Sequence, residues 1–310
     1  MKKVSLVGGR GYAGKEVLKM LFRHPKVKIE SVFSASKGGA PINIGRENTE
    51  LTYKFFGDEV PKFDNEDAIL LALPNGDSKK LIKLIDSEYP DKTIIDLSSD
   101  FRFDKKWQYR LPELSGPVHS KRISNPGCYA TTMQLMMAPI KNNIEGYVNF
   151  FGVSGYSGAG SKPNERNNTD ILKDNVLPYS LVNHLHEREV THHAYSKVFF
   201  TPHVGNFFRG ILITANFTLQ ENLSLEEVKD SFMKFYEPYD LIKTQIQIPN
   251  IKEVVGTSIA IIGGFQIDSI NKRLTFCCVI DNLLKGAATQ AIQNLNSAFG
   301  WNDNLGVEIL

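Results

Sequence analysis

The sequence predicts an α/β protein of two domains. Its 310 residues exceed the roughly 100–200 residues of a typical single domain. Up to residue 127, short apolar strands alternate with helices, whereas longer strands of antiparallel character follow Cys128. Such alternation is typical of a parallel sheet covered by helices on both faces. We therefore expect an α/β domain over residues 1–127, rejoined by a C-terminal helix within 283–310, and an α+β domain over residues 128–282.

The first domain begins with a strand, a glycine loop and a helix. Near-continuous apolar runs predict buried strands, and apolar residues at helical spacing predict the helices between them. The first helix stops before Pro25, a residue that interrupts helices. The predicted strands are 3–7, 27–33, 68–73 and 93–97, and the predicted helices are 15–22 and 79–85.

The second domain combines longer strands with a few helices. A helix over 129–137 ends before Pro139, and Ser224 with Glu227 forms a capping box at the start of a helix that reaches residue 236. Residues 158–173 are polar and lack periodicity, which predicts a long loop of the kind that forms lids and binding loops. The predicted strands are 147–153, 198–201, 210–219, 258–267 and 273–280, and the last predicted helix is 283–299.

Charge and composition exclude several classes of partner. Lys and Arg number 36 and Asp and Glu number 34, so the net charge of +2 is too small for binding along a nucleic-acid backbone. The sequence lacks an apolar run of the ~18 residues that a membrane span requires, and no signal-peptide core precedes the first strand. Its 3 cysteines are an odd number and cannot form a disulfide framework. We expect a small-molecule substrate and a cytoplasmic protein whose important cysteine acts as a thiol.

A glycine loop lies between the first strand and the first helix. Gly9, Gly11 and Gly14 have the GxGxxG spacing that permits a tight turn, backbone approach to phosphate and close helix packing. The helix N-terminus faces the bound anion. The pattern predicts a Rossmann-like dinucleotide-binding domain. The second strand ends in Ser34-Ala35-Ser36-Lys37 instead of an acidic residue, which favours the 2′-phosphate of NADP over NAD.

Cys128 is the candidate nucleophile. Pro126 and Gly127 form a sharp turn before it, and the following residues enter a helix. Unpaired backbone N–H groups and the dipole at a helix N-terminus stabilise a thiolate. On the residues alone, a small buried side chain is the alternative. Cys277 and Cys278 lie in the middle of a strand, where we expect both to pack in the core.

Histidines and a second glycine-rich loop complete the candidates. In an extended segment, His184 and His186 would share a side and could act as acid/base groups or as a metal pair. We expect no metal, because no further ligand stands at a convincing spacing. His192 and His193 are expected at the surface. Residues 153–160 contain three glycines and two serines, which suits close approach of a ring or a phosphate, or else a flexible hinge.

Taken together, these motifs resemble the N-acetyl-gamma-glutamyl-phosphate reductases, a family of NADPH-dependent enzymes of arginine biosynthesis. The string SNPGCY at residues 124–129 is specific to this group, and the other motifs follow in the family's order over nearly the whole chain. They are 8–14, 71–76, 96–102, 111–114, 152–160, 183–190, 202–205, 208–210 and 281–288. The implied fold is semialdehyde dehydrogenase-like, with a Rossmann-like NADP-binding domain and an α+β catalytic and dimerisation domain.

The resemblance implies reductive dephosphorylation by two catalytic residues. Cys128 would attack an acyl phosphate to give a thioester, His186 would be the acid/base group, and NADPH would supply a hydride. Substrate carboxylate and phosphate would bind Arg102, His203 and Arg209. The implied cofactor contacts are Gly9, Arg10, Gly11, Tyr12, Ala13 and Gly14 at the pyrophosphate, Ser34, Ser36 and Lys37 near the 2′-phosphate, Leu73, Pro74 and Asn75 at the adenosine, and Ser154, Gly155, Gly158 and Asn282 near the nicotinamide.

Two alternative functions stay open. An aspartate-semialdehyde dehydrogenase or a lysine-pathway relative would share the fold, the cysteine and the cofactor, whereas a non-catalytic NADP-binding regulator would share only the scaffold. The histidine motif reads His-Leu-His-Glu-Arg-Glu where His-Arg-His is commoner, and the first domain looks shorter than in many relatives. The acyl group, N-acetyl or another such as N-succinyl, is therefore left open. Relatives assemble through the second domain's sheet, which by analogy predicts a homodimer or homotetramer.

Overall fold

The computed structural model describes residues 1–36, 38–44, 47–56, 61–221 and 223–309. These residues form two compact units. The first unit contains Met1–Gly127 together with Ala287–Glu308, and the second contains Cys128–Gly286. The chain therefore leaves the first unit after Gly127 and returns to it after Gly286.

The first unit is built on a mainly parallel sheet. Its strands are β1 (Lys2–Val7), β2 (Val27–Ser34), β3 (Pro41–Ile44), β4 (Glu47–Phe55), β5 (Ala68–Leu71), β6 (Thr93–Asp96), β7 (Gln108–Tyr109) and β8 (Arg122–Ser124), and its first two helices are α1 (Tyr12–Arg23) and α2 (Asp77–Glu88). Over the described residues the strand order is β3-β4-β2-β1-β5-β6-β8-β7, with β3 antiparallel to β4 and the remaining neighbours parallel. The predicted parallel sheet is confirmed.

Burial explains why the central strands are mostly apolar. All four residues of β5 are buried, as are Val4–Val7 of β1. A parallel strand covered on both faces needs no polar side. The α2 helix packs Leu81, Ile82 and Ile85 into a cluster with residues of β1, β5 and β6, which gives this helix its predicted amphipathic pattern.

The second unit contains a mixed sheet and the remaining strands. These are β9 (Ile144–Gly155), β10 (Val176–Pro178), β11 (Val198–Gly205), β12 (Ile211–Leu219), β13 (Ile242–Gln245), β14 (Ala260–Asp268) and β15 (Arg273–Ile280), and its helices are α3 (Cys128–Met137), α4 (Thr169–Leu172), α5 (Leu185–His193) and α6 (Leu225–Tyr236). Across the described residues the order is β10-β11-β9-β12-β15-β14-β13.

The antiparallel expectation for this sheet is wrong for one predicted pair, and a second parallel pair involves β13, a strand that the sequence does not predict. The β11 strand runs parallel to β9, and β13 runs parallel to β14. Parallel strands require a long crossover connection, and the segment 156–197 between β9 and β11 provides one. The crossover contains α5 together with the short helix α4 inside the predicted loop 158–173. Local sequence patterns carry no information on the direction in which a distant strand pairs.

The two faces of the second sheet differ. One face carries α3 and α6 over an aromatic core that includes Phe232 of α6 and Phe276 of β15. The other face leaves Tyr147, Phe151 and Phe199 between 44% and 52% exposed. Cys277 and Cys278 lie on different faces of this sheet, because successive side chains of a strand point to opposite faces.

Core packing therefore holds for one of these cysteines only. Cys278 is fully buried, and burial raises the pKa of its thiol well above the ordinary range. The expectation is wrong for Cys277, which is half-buried on the outward face with its Sγ 3.4 Å from Oγ1 of Thr214.

The predicted helix 283–299 is divided in the structure. Residues Leu284–Ala288 form a π-helical turn, and α7 (Thr289–Ala298) follows it. The Gly286 N–H donates to the Asp281 carbonyl at 2.9 Å, which is the i→i+5 pattern of a π-helix. The α7 helix packs against α1 and β6 in the first unit. Within the described part of the chain, no helix is long and apolar enough to cross a membrane.

Removing a core ring should destabilise the second unit. Phe232 is fully buried, with its ring centroid 4.9 Å from that of Phe265 and 5.1 Å from that of Phe276. We expect Phe232→Ala to lower the free energy of unfolding by about 3–5 kcal/mol, the cost of a large cavity. Urea denaturation measures this loss. The neighbouring exposed residue provides the control, since Met233→Ala should change the same quantity by less than about 0.5 kcal/mol, and equal losses in both variants would contradict the packing described.

Candidate active site

The first glycine loop forms an anion-binding geometry in the first unit. The chain turns after β1 at Gly8, whose φ is +87°, and α1 follows with Gly11 at its N-cap and no side chain capping it. A Cβ on Gly14 would overlap the carbonyl oxygen of Gly8, so only glycine allows the helix to lie this close to the strand end. Backbone N–H groups at such a helix start suit the pyrophosphate of a dinucleotide.

The other predicted cofactor residues of this unit follow neighbouring strands. Ser34 ends β2 and is buried, with its Oγ accepting a hydrogen bond from Ser36 N–H at 3.3 Å. Leu73, Pro74 and Asn75 follow β5, where Asn75 Oδ1 accepts from Ser99 N–H at 3.0 Å. Because β2, β1 and β5 are adjacent, these loops share one edge of the sheet with the glycine loop, as open α/β sheets require of a ligand site. Lys37 lies outside the described residues.

Within the glycine loop itself, the remaining predicted contacts differ in exposure. Arg10 is exposed at the turn, and Tyr12 and Ala13 are half-buried in the first turn of α1. The loop thus presents backbone groups and one cation beside the helix N-terminus. This arrangement fits a dinucleotide phosphate.

Cys128 is the first residue of α3. Its side chain is half-buried, and a Cβ on Gly286 would come 2.7 Å from the Cys128 Cβ. The π-helical turn can therefore pass behind the cysteine only with glycine at this position. The thiol stands at the end of the helix where backbone N–H groups and the dipole favour a negative charge.

A buried polar network holds the turn that leads to Cys128. Arg102 Nε donates to the carbonyl oxygen of Asn125 at 3.0 Å, and its Nη2 donates to the carbonyl oxygen of Leu97 at 3.1 Å. Asn294 Nδ2 donates to Asn125 Oδ1 at 3.1 Å. Arg102, a predicted substrate ligand, thus supports the backbone before the cysteine, and its contact with substrate stays a prediction.

Cys128 and His186 line one cavity in the second unit. The other lining residues are Tyr129, Ser154, Gly155, Gly158, Ala159, Arg166, Tyr179 and Val204. His186 lies in the first turn of α5, and His184 is the N-cap of that helix. The expected extended conformation of the histidine segment is therefore wrong: Asn183, at φ +57°, turns the chain into a helix. The two rings are nevertheless neighbours, with centroids 5.0 Å apart.

The residues predicted near the nicotinamide surround part of this cavity. Asn282 Oδ1 accepts from Gly210 N–H at 2.7 Å, and its Nδ2 donates to Ser157 Oγ at 2.9 Å. A Cβ on Gly158 would lie 3.0 Å from Ser154 Oγ, and one on Gly155 would lie 2.6 Å from backbone atoms of residues 208 and 209. These close contacts make the second glycine-rich loop a tightly packed turn at Gly155 and Gly158.

Arg166 and Tyr179 are polar residues of the cavity that the sequence patterns do not predict as site residues. The Arg166 guanidinium lies 4.8 Å from the ring centroid of Tyr179. Burial, and then the neighbouring charge of Cys128, raise the pKa of Tyr179 well above its ordinary value, so its phenol keeps its proton. Arg166 sits in the predicted loop, where Asn164 forms a capping box with Asn167. That Asn-rich pattern was the available signal, but it does not reveal which cavity the loop joins.

The two other predicted substrate ligands have partners of their own. Arg209 forms an ion pair with the buried Asp281, with Nε 2.6 Å from Oδ2 and Nη2 2.9 Å from Oδ1. His203 lies on β11, with its ring centroid 4.4 Å from that of Phe151. Neither residue lines the Cys128 cavity in the described part of the chain. Their contact with substrate stays a prediction.

Comparison with known proteins agrees with this geometry. Residues 3–122 match the model "Semialdehyde dehydrogenase, NAD binding domain", and residues 128–282 match "Semialdehyde dehydrogenase, dimerisation domain". Aspartate semialdehyde dehydrogenase II of Vibrio cholerae has the same fold, with a TM-score of 0.79 at 18% identity over 97% of this chain and 98% of that one. Fold and matched domains define the class: a semialdehyde dehydrogenase, that is, an oxidoreductase with a nicotinamide cofactor.

Relatives of similar sequence identify the family within this class. The N-acetyl-gamma-glutamyl-phosphate reductase of Xanthomonas campestris pv. campestris is 42% identical over 97% of this chain and 96% of that protein. Protein arg11, mitochondrial, of Schizosaccharomyces pombe is 40% identical over 99% of this chain and 35% of its own length. The chain belongs to the N-acetyl-gamma-glutamyl-phosphate reductase family. The resemblance, the fold class and the NADP cofactor predicted from the sequence are confirmed.

A side chain at the third glycine of the loop should weaken cofactor binding. Gly14→Ala would force its Cβ against Gly8 and displace the loop from the start of α1. We expect NADPH affinity, measured by the change in nicotinamide fluorescence, to fall at least about tenfold, which corresponds to about 1.4 kcal/mol. Gly116→Ala is the matched control, because a Cβ there meets nothing within 4 Å. Unchanged affinity in Gly14→Ala would contradict the role of this loop.

Proposed function

We propose that this protein reduces N-acetyl-gamma-glutamyl phosphate, with NADPH, to N-acetylglutamate 5-semialdehyde and phosphate, through a thioester on Cys128. One observation carries the assignment of roles: the thiol at the start of α3 shares a cavity with His186 in a chain of this reductase family. Acyl transfer to a thiol, followed by reduction, needs one nucleophile and one proton carrier. The cavity provides one of each.

His186 takes the proton of the Cys128 thiol in the first step. The resulting thiolate attacks the acyl carbon, the bond from that carbon to the phosphate oxygen breaks, and phosphate leaves. NADPH, when bound, supplies the hydride that reduces the thioester. As the carbon–sulfur bond then breaks to release the aldehyde, His186 returns a proton to the sulfur. The protonated phenol of Tyr179 offers a hydrogen-bond donor beside these groups.

We assign cofactor binding to the first unit and catalysis to the second. Residues 1–127 with the returning segment 283–310 form the dinucleotide-binding domain, and residues 128–282 form the catalytic and oligomerisation domain. Support comes from the helix N-terminus at Gly11 and from the cavity at Cys128. Ser34 and Ser36 at the end of β2, in a loop without an acidic side chain, suit the 2′-phosphate of NADP.

Arg166 is our candidate for binding an anionic group of the substrate. Its guanidinium is half-buried in the wall of the Cys128 cavity, whereas the guanidinium of Arg209 is paired with Asp281. Two hydrogen bonds hold the loop that carries it, since Asn167 Nδ2 donates to the carbonyl oxygens of Gly160 and Lys162 at 2.8 Å and 2.7 Å. A planar guanidinium matches carboxylate and phosphate geometry.

The exposed sheet face of the second unit supports a homodimer. Tyr147 and Phe199 stack with ring centroids 4.3 Å apart, and Phe151 extends the same face. Large exposed apolar side chains grouped on one surface mark protein interfaces, and the matched domain is a dimerisation domain. We propose that two copies pair through this face. A reducing, cytoplasmic compartment would keep the Cys128 thiol active, although the relative from Schizosaccharomyces pombe is mitochondrial by name.

Substitution of either catalytic candidate should abolish or strongly slow reduction but leave cofactor binding intact. Cys128→Ser removes the thiolate, so we expect no turnover and unchanged NADPH affinity. His186→Asn should lower kcat by about 10²–10⁴-fold, the usual loss when a general acid/base is removed. The change in nicotinamide absorbance measures the rate of reduction in both variants. A rate equal to that of the unmodified protein in either variant would show that another residue is the nucleophile or the acid/base group.

Substrate choice separates the proposal from its closest rival. In the reverse direction, with NADP and phosphate, we expect faster turnover of N-acetylglutamate semialdehyde than of aspartate semialdehyde or N-succinylglutamate semialdehyde. A preference for aspartate semialdehyde would overturn the proposed function. A preference for the N-succinyl compound would retain the chemistry and change the acyl group.

Loss of the Arg166 charge should affect substrate binding. In Arg166→Met we expect KM for the acyl phosphate to rise about 10- to 100-fold, since hydrogen bonds to charged groups contribute about 1.5–3 kcal/mol. KM for NADPH should stay unchanged. The exposed Lys162 of the same loop provides the control variant Lys162→Met. An unaltered KM in Arg166→Met would assign substrate binding to other cations.

A charge on the exposed sheet face should separate the subunits. Phe199→Glu places a carboxylate in the proposed interface, where burial of an unpaired charge is costly. Analytical ultracentrifugation should then report the mass of one chain, against a dimer or tetramer for the unmodified protein. Ile270→Glu, at a position 93% exposed elsewhere in the unit, should leave the assembly intact. The same mass for Phe199→Glu and the unmodified protein would place the interface on another surface.

A further inference from the structure

His184 is half-buried among aromatic rings beside the proposed catalytic pair. Its ring centroid lies 5.2 Å from that of Phe200, 5.5 Å from that of Tyr179 and 6.3 Å from that of Tyr129. The nearest ring is that of His186, at 5.0 Å. Three of these neighbours present apolar ring surface, so a charge on His184 would be poorly solvated.

The hydrogen bond of His184 specifies its protonation state. Its Nδ1 accepts from the backbone N–H of His186 at 3.1 Å, in the geometry of a helix N-cap. An imidazole nitrogen accepts only when it carries no proton, so the proton lies on Nε2 and the ring is neutral. Both nitrogens of an imidazolium are donors, and protonation of His184 would therefore remove the cap.

Charged groups around His184 favour the same neutral form. Arg166, from the loop that joins the cavity, and Arg188, from α5, both face it, and burial together with these two cations lowers the pKa of His184 to about 4. The other titratable neighbours are Tyr129 beside Cys128, Tyr179 after β10, and His186. The two phenols keep their protons because burial and the charge of Cys128 raise their pKa values.

We infer that His184 is a positioning residue: as the neutral N-cap of α5 it holds the backbone of His186 and reserves the positive charge of the histidine pair for His186. This inference rests on the proposed function of His186. A protonated His184 would break the cap and place a second cation with its ring centroid 5.0 Å from that of His186, which would oppose transfer of the Cys128 proton to His186. The two histidines of one motif thus have different tasks, set by their positions at the helix start.

Two variants of His184 separate the cap from the bulk of the ring. His184→Asn keeps an acceptor at the N-cap, where Asn is among the preferred residues, whereas His184→Phe keeps an aromatic ring and loses the acceptor. We expect kcat of His184→Phe to fall about 10-fold or more with KM for NADPH unchanged, and kcat of His184→Asn to stay within about threefold of the unmodified protein, because N-capping is restored. His192→Phe, at the exposed end of the same helix, is the matched control.

A second readout does not depend on the substrate. The rate of Cys128 alkylation by iodoacetamide, followed over pH by peptide mass spectrometry, reports the thiolate that His186 supports. In His184→Phe the profile should move to higher pH, and in His184→Asn it should return toward that of the unmodified protein. Thermal unfolding of each variant shows whether the fold is retained.

The outcomes distinguish this inference from the proposed function. Equal kcat values and equal alkylation profiles in the Phe and Asn variants would overturn the positioning role. An equal loss of kcat in both variants, with no recovery in His184→Asn, would overturn it as well. If the unmodified protein reduces none of the acyl phosphates, the proposed function fails, and the alkylation profiles still decide whether His184 positions His186.

Discussion

The packing of Gly286 against Cys128 is the constraint on which the candidate site of the second unit depends. A Cβ at residue 286 would come 2.7 Å from the Cβ of the cysteine, so the start of α3 and the turn after β15 can meet only through a glycine. Asp281 secures that turn: its carboxylate accepts from the N–H groups of Leu283 and Leu284 and pairs with Arg209. The helix N-terminus that favours a thiolate at Cys128 is thereby fixed by a turn more than 150 residues away in sequence.

Electrostatics in the site are local. A net charge of +2 gives the surface little general attraction for an anionic substrate, which agrees with our proposal that a single cation in the cavity wall, Arg166, binds the substrate. Desolvation sets the remaining charges: it keeps the phenol of Tyr179 protonated and His184 neutral. Tyr129, Tyr179 and His184 beside the cysteine are therefore uncharged at neutral pH, which suits the proton exchange that we propose between Cys128 and His186. The same partly buried, aromatic surroundings make each of these interactions stronger than it would be in water.

Local patterns predicted most of the elements because each depends on residues close in sequence. The glycine loop, the turn before Cys128 and the capping box at Ser224 are specified by steric and hydrogen-bonding needs of a few neighbouring residues. The predictions failed where pairing partners are distant. β11 runs parallel to β9 instead of antiparallel, and the half-buried position of Cys277 follows from which face of the sheet the helices cover. The helix at His184 was missed because its apolar face is short, and a positive φ at Asn183 decides where it begins.

From its residues alone, the chain specified its fold class, its dinucleotide loop, its candidate nucleophile and the family to which it belongs, since these are carried by short motifs in a definite order. Tertiary structure alone decided which polar groups meet. In the folded chain, Arg166 and Tyr179 line the cavity of Cys128, and Arg209 forms an ion pair with Asp281. The two neighbouring histidines, His184 and His186, occupy different positions at the start of α5. The physical reason is that burial, partner and charge state are properties of a position in space, and residues that are far apart in sequence determine them.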